Sequence, residues 1–463
     1  MSRKLKTWSV AGLALMSTVA CGDFLSGDKL DSDPNRATTA QASQLFTAVQ
    51  VNTYYIVNGH AARVLAMWVQ QMAGTDRQYI GYDLYSVTEG LFGEFSAVYT
   101  GGGLADIRSI QAVATTSGNK TLLGITKIYE ALVVGFAADM YGDIPYSEAA
   151  KPSIKTPKLD KQADVYAALQ TLLDGAITDL SAGAGSVGAL DLSFQGERTK
   201  WIAVARTLKA RYYLHTAEVN TAAYANALTQ AQQGIASPAG NWTEYHSTSS
   251  GEENIWWQFI NRDRDSYTRP GKFLVDLMIQ RNDPRVPEYF AKNDLGGYAG
   301  AAPGEGLDPN RMSNLGPVRL QPDYRQPIVT WSENKAIIAE AAYRTGNIAL
   351  ARTALDELRA WAGVPAIAAS LSGSALLVQI LQEKYIALFQ NYEAYNDYKR
   401  TCYPNLTPSS SASASGIPAR FTYPVAERTA NPNIPLPGNQ PKRNTNDPAN
   451  ATAPDGAACK GQK

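Results

Sequence analysis

The chain is poor in the residues that hold metals and redox centres. Its 463 residues include three cysteines and three histidines. His60, His215 and His246 are scattered and the cysteines lie far from them, so no zinc-type spacing such as C-x-x-C or H-E-x-x-H is present. So few thiols also exclude a disulfide-dense mini-protein. Charge of one sign is missing too, with 42 Lys+Arg against 42 Asp+Glu, which removes the electrostatic footprint of a nucleic-acid binder. No stretch beyond the N-terminal leader approaches the ~18 unbroken apolar residues of a membrane span. An apolar content of 44% argues equally against disorder. Enzymatic constellations are lacking: there is no phosphate-binding G-x-x-x-x-G-K-[ST] and no G-x-S-x-G elbow. Gly183 to Gly188 formally matches G-x-G-x-x-G but follows a helical pattern rather than a strand, so it is not read as a dinucleotide site. Glu252 and Glu253 are adjacent on a loop and point apart, and are read as solvated rather than as a glycosidase pair. No catalytic residue, cofactor or metal site is expected.

What is present is an excess of rings with a polar handle. Trp 8 and Tyr 25 stand against Phe 11. Such rings can stack on a ligand while staying wet.

Residues 1–20 are read as a leader. Arg3, Lys4 and Lys6 form a basic region, and Val10 to Val19 is an apolar run too short to span a bilayer. Thr18-Val19-Ala20-Cys21 resembles a bacterial lipobox, with Thr18 where Leu is usual; the alternative is an ordinary secretory signal. Under the lipobox reading Cys21 carries the acyl chains, and the mature protein is held at a membrane by lipid alone. Losing Arg3, Lys4 and Lys6 from 42 basic residues leaves 39 against 42 acidic. Cys402 and Cys459 then remain as the two thiols that can pair in an oxidising compartment, with free thiols as the alternative.

Residues 21–463 read as one mainly α domain. Ile125, Ile128, Leu132, Phe136 and Met140 recur at helical spacing, as do Val165, Leu169, Leu172, Ala176 and Leu180. Trp201, Leu208, Tyr212 and His215 follow, with His215 read as a core histidine. A helix over 332–345, a stop at Gly346 and a second helix to Ala362 form a tetratricopeptide-like hairpin. One longer helix is expected to carry Leu377, Leu381, Tyr385, Leu388, Tyr392 and Tyr395 on one face. Long irregular, aromatic-bearing segments interrupt the helices at about 74–103, 236–270 and 296–327. Loops of that length are functional or disordered, and these are too rich in Tyr and Trp to be simply disordered. Residues from about 432 to 463 are expected to form a flexible tail.

Several pieces in order resemble the SusD/RagB family. Cys21-Gly22-Asp23-Phe24-Leu25 is similar to its opening, and Asp139-Met140-Tyr141-Gly142-Asp143-Ile144-Pro145-Tyr146 to its most recognisable internal motif. Trp201 to Arg211, Asn282-Asp283-Pro284-Arg285 and Glu340-Ala341 continue the pattern. Glu383-Lys384-Tyr385, Tyr398-Lys399-Arg400 and Ile417 to Pro424 complete it. Read physically, Asp143 is a turn or cap residue, Asp283-Pro284-Arg285 a turn, and Arg420 part of a buried ion pair; these signatures are scaffold. The resemblance implies a lipoprotein on the outer membrane, facing the cell exterior, that binds an oligosaccharide and passes it to a SusC-like TonB-dependent transporter. Capture of peptides or another non-sugar nutrient is the alternative, and a structural assembly protein a third reading.

The ligand-binding candidates are Asp76, Arg77, Gln78, Tyr79 and Tyr82 in the first irregular segment and Trp256, Trp257 and Tyr267 in the second. A pyranose has apolar C–H faces for rings to stack on and hydroxyl edges for Asp, Arg or Gln to bond. At least one of Trp256 and Trp257 is expected to pack the segment onto the scaffold instead.

Overall fold

The computed structural model describes residues 41–413 and 416–447, together with residue 454; the leader, Cys21 and Cys459 lie outside the described residues. Residues 41–45 open the first helix, and the chain from Phe46 onward makes one compact unit. Helices α1 (Ala42–Asn58) and α2 (His60–Trp68) lead to strand β1 (Met72–Gly74) and short helices α3 (Arg77–Asp83) and α4 (Glu94–Tyr99). The scaffold begins with α5 (Leu104–Thr116), α6 (Lys120–Tyr141), α7 (Gln162–Ala182), α8 (Arg198–Leu214) and α9 (Ala223–Ala231), each packed on the next. Strand β2 (Trp242–Thr243), the single turn α10 (Ile255–Trp257), a π turn over 258–263 and strand β3 (Thr268–Pro270) follow. Next come α11 (Lys272–Gln280), α12 (Val286–Tyr289) and strand β4 (Pro327–Val329). The chain continues through α13 (Trp331–Arg344), α14 (Ile348–Trp361), α15 (Gly373–Ala387), α16 (Glu393–Thr401) and α17 (Val425–Ala430). Helix α13 packs on α9, α14 and α15, so the tetratricopeptide-like array is continuous. Its seam is built on small residues, with Ala210, Ala227, Ala339, Ala342 and Ala351 buried beside Leu355 and Ile380. Among the described residues the strands form two two-stranded ribbons, β1–β3 and β2–β4.

The local sequence explains the hairpin. Thr330 Oγ1 accepts the Glu333 amide at 3.1 Å to cap α13, and Asn347 Oδ1 accepts the Leu350 amide at 3.2 Å to cap α14. Helix α6 lies at the centre and is almost wholly buried. By length and composition it could cross a membrane, but here it is the core helix. It approaches α8 closely, because a Cβ on Gly135 would lie 2.2 Å from Tyr212 Oη.

The signature charges meet one another in this core. Arg211 bonds Glu333 through Nε and Nη2 at 2.6 and 2.7 Å, and its Nη1 lies 3.5 Å from Glu393. His215 spans Asp139 and Glu393 at 2.8 and 2.9 Å. Arg400 grips both oxygens of Glu340 at 2.6 and 2.8 Å. Asp283 holds Arg285 at 2.8 and 2.7 Å, and Arg285 reaches Glu383 at 2.5 Å. Asp143 caps α7 by accepting the Gln162 amide at 2.9 Å. The scaffold reading of His215, Asp143 and the Asp-Pro-Arg turn therefore describes what is found.

Four expectations are corrected. The single long helix over Leu377 to Tyr395 is two helices, because Gln390 takes a φ of 64° and Gln71 binds the break, donating to Tyr385 O at 2.8 Å and accepting from the Gln390 amide at 3.3 Å. Arg420 makes no carboxylate pair among the described residues: its guanidinium donates to the Tyr141 and Pro441 carbonyls at 2.5 and 2.9 Å. Glu252 is exposed as expected, but Glu253 is buried, accepting the Gly251 amide at 2.7 Å. The tail is packed through residue 447, with Ile434 and Asn444 buried and Asn444 Nδ2 donating to Asp139 O at 2.7 Å. Pro and Asn there serve as hydrogen-bonding packing rather than as a spacer.

Candidate ligand-binding site

The three irregular segments converge, and they are less irregular than their composition suggests. Strand β1 pairs antiparallel with β3, with Met72 opposite Pro270 and Gly74 opposite Thr268. The pairing continues past the strands: the Thr75 amide donates to Tyr267 O at 2.9 Å and Thr75 Oγ1 to Ser266 O at 2.7 Å. The third segment joins on the other side, where the Leu307 amide donates to Thr75 O at 3.0 Å. Gly74 permits the sharp entry into α3, since a Cβ there would sit 2.0 Å from Tyr79 O.

Asp76 caps α3 by accepting the Arg77 amide at 2.8 Å, and its second oxygen accepts Ser266 Oγ at 2.6 Å. Asp83 closes the same helix from inside. It accepts the Gly74 and Gly304 amides at 3.1 and 3.0 Å, and burial pushes its carboxyl up to about 7. One short helix is thus tied to all three segments through its two aspartates.

This frame gathers rings. Tyr79 lies with its centroid 5.4 Å from Tyr82, 5.6 Å from Tyr267, 5.0 Å from Phe259 and 5.9 Å from His60. Tyr79 itself is buried, and its hydroxyl meets His60 Nδ1 at 3.1 Å and Arg63 Nε at 3.3 Å. Burial and the nearby Arg63 push His60 down to about 4, so its ring is neutral at physiological pH. Tyr82 and Tyr267 are half-buried, and Arg77 and Gln78 are exposed beside them. Arg264 lies 5.5 Å over the Tyr267 ring. The arrangement offers ring faces and edge donors at the surface, braced from behind by Tyr79.

The tryptophans of the second segment behave differently. Trp256 is fully buried and presents no face at the surface, whereas Trp257 is half-buried. Asn254 Oδ1 accepts both of their amides, at 2.9 and 3.1 Å. The structure therefore brings Asp76, Arg77, Gln78, Tyr79, Tyr82 and Tyr267 together and sets Trp256 in the core. Cys402 is buried and disulfide-bonded.

Next along the same segment, a cavity of about 410 Å³ is lined by Tyr54, Tyr55, Tyr245, His246, Glu253 and Gln258, among others. Tyr55 and Tyr245 are each 42% exposed, and Arg325 lies 4.9 Å over the Tyr245 ring. Tyr55 and His60 sit on helices and are not singled out by loop clustering, and Phe259 lacks the polar handle that marks the candidates; the adjacent Tyr54-Tyr55 pair on an otherwise amphipathic helix is the available signal.

Among the described residues one cluster has metal-like composition, Asp139, His215 and Glu393. Both ring nitrogens of His215 already face carboxylates, and although burial opposes charge, Asp139 and Glu393 raise its pKa to about 10. A protonated imidazole is an ion-pair partner and not a ligand.

Comparison with known proteins gives a family model and a fold. The model described as "Starch-binding associating with outer membrane", SusD-like, matches residues 34–424. No curated protein matches significantly. Similar structures include a chitin-binding protein, 23% identical over 88% of this chain and 100% of that chain at a TM-score of 0.75. A SusD-like protein from Bacteroides thetaiotaomicron is 21% identical over 88% and 97% at 0.72. A chitin-binding SusD homolog from Flavobacterium johnsoniae is 19% identical over 88% and 98% at 0.72. At those identities the likeness is one of fold.

Proposed function

Because the chain belongs to the SusD-like family, whose model covers most of its length, we propose that it captures a glycan at the outer membrane. The binding surface is the ring cluster on α3 and the 258–267 segment. The observation that carries this reading is the convergence of three separate segments on Tyr82 and Tyr267, two half-buried rings flanked by Arg77, Gln78 and Arg264. A pyranose face stacks on such rings, and the cations and amide bond its hydroxyl edge. Two of the similar structures are named as chitin-binding, which makes β-linked N-acetylglucosamine chains the first ligands to try, beside starch.

In this proposal the protein is held at the membrane by acylated Cys21, faces the exterior and hands its ligand to a TonB-dependent transporter. Binding, not catalysis, is its role. The test is retention on a glycan panel in affinity electrophoresis, comparing the protein with Tyr82→Ala and Tyr267→Ala. Selective retention lost in both variants, with unchanged melting, supports glycan capture. Retention by a peptide library and by no glycan would replace it with peptide capture. Labelling by radioactive palmitate, lost in Cys21→Ser, tests the anchor.

A further inference from the structure

A second cavity, of about 270 Å³, shares no lining residue with the surface described above. It lies between the turn that follows α11, the ends of α14 and α15, and the start of α13, and is lined by Arg285, Glu288, Arg319, Trp361, Phe389 and Asn391, among others. We propose that it binds one carboxylate-bearing pyranose unit, a hexuronate, with the carboxylate between Arg285 and Arg319 and the ring on Trp361.

Two guanidiniums carry the argument. Arg319 is 6% exposed, yet its hydrogen bonding is incomplete. Nη1 reaches Gln390 Oε1 at 3.3 Å and Nη2 reaches Glu288 Oε1 at 3.4 Å, while Nε is buried with no partner. The plane is instead held by rings, 4.0 Å over Tyr289 and 5.2 Å from Phe389. Each Nη carries two N–H groups and makes a single long bond, so the Nη edge keeps donors for a further acceptor. Arg285 is positioned from behind, where Asp283 and Glu383 occupy Nε and Nη2, and its Nη1 makes no hydrogen bond among the described residues. The cavity wall itself therefore presents two arginines against one carboxylate, Glu288. A planar guanidinium fork matches the two oxygens of a carboxylate.

The third element is Trp361, which is 63% exposed at the rim of this cavity. It is not loose: it packs edge-on to Trp331 with centroids 5.8 Å apart and planes at 71°. A braced, exposed indole beside buried cations fits a ligand with an apolar ring face and an anionic end. The volume, about 270 Å³, falls just below the ~300–1,000 Å³ range of small-ligand sites, which suits a single sugar unit rather than a chain.

The experiment is calorimetric titration, with indole fluorescence in parallel, of the full chain with sodium glucuronate, glucose and sodium acetate. Glucuronate is expected to bind saturably at one site and quench fluorescence, at least tenfold more tightly than glucose or acetate. Trp361→Ala, at an exposed position, is expected to keep the native melting temperature and to weaken glucuronate at least tenfold. Arg319→Gln is expected to abolish binding, and Arg319→Lys, which keeps the charge without the fork, to weaken it. Acetate binding as tightly as glucuronate would reduce the site to an adventitious anion position and overturn the proposal. So would glucose binding equally, unchanged affinity in Trp361→Ala, or no saturable binding to glucuronate.

Discussion

Tyr79 and Tyr82 sit three positions apart on one short helix and take opposite parts. Tyr79 is 3% exposed and braces the cluster, so Tyr79→Ala is expected to cost ~3–5 kcal/mol of stability, as other buried aromatic truncations do. Tyr82→Ala and Tyr267→Ala are expected to leave stability nearly unchanged and each to weaken glycan binding about tenfold, ~1.4 kcal/mol. Urea denaturation beside glycan titration separates the two behaviours; equal stability loss in all three would sink the distinction. The buried charges allow equally direct tests. Arg400→Met leaves Glu340 facing Lys384 alone at 3.6 Å and is expected to cost ~3–5 kcal/mol. His215 sets a pH dependence. Its folded pKa, about 10, lies above the ordinary histidine value, so its contribution is complete below pH ~6.5 and is lost as pH rises toward 10. Denaturation midpoints measured from pH 6 to 10 should fall on the alkaline side, and a flat profile contradicts the charged-ring reading.

Among the elements, the helices were the most readable part of the chain. Apolar spacing in α6, α7 and α8 and the capped hairpin α13–α14 announce themselves, because their periodicity is decided locally. The break between α15 and α16 was not readable, since the apolar face runs on from Leu377 to Tyr395 and the interruption is imposed by Gln71, more than three hundred residues away. The site was half legible for the same reason. Polar-aromatic clustering singled out Asp76 to Tyr82 and Tyr267, but whether a given ring faces solvent depends on strand pairing and on helix α2, which composition does not encode. Trp256 and Trp257 are identical neighbours in sequence and differ only in which side of a single helical turn they occupy. Helix crossing offers a sharper element test. Gly135→Ala drives a methyl into the Tyr212 ring, whose hydroxyl donates to Ala131 O at 2.7 Å. Neither side can yield easily, so a loss of ~1–3 kcal/mol is expected in thermal melts; an unchanged melt would mean that α6 and α8 slide apart freely.

For the whole molecule, the packed C-terminal stretch means that stability is not confined to the helical array. Deleting residues 432–463 removes Asn444 from Asp139 O and Gln440 Oε1 from the Tyr423 amide, a bond of 3.1 Å. The truncated protein is expected to melt several degrees lower and to expose the end of α6, read by hydrogen exchange; unaltered protection would show the stretch to be passive. Helix α6 has a further consequence that arises before folding. A chain threading through a translocon in extended form displays this segment to the bilayer, where its hydropathy invites lateral release. Lys127 and Glu130 near the middle of the segment and Asp139 at its end oppose that escape, a charge near mid-membrane costing ~2.5–3.5 kcal/mol. After folding, the same three side chains are neutralised by Asp179 at 2.6 Å, Arg108 at 3.1 Å and His215 at 2.8 Å. On the export route proposed above, the ion pairs of the core would thus act twice, keeping the segment out of the membrane in transit and stabilising its burial on arrival.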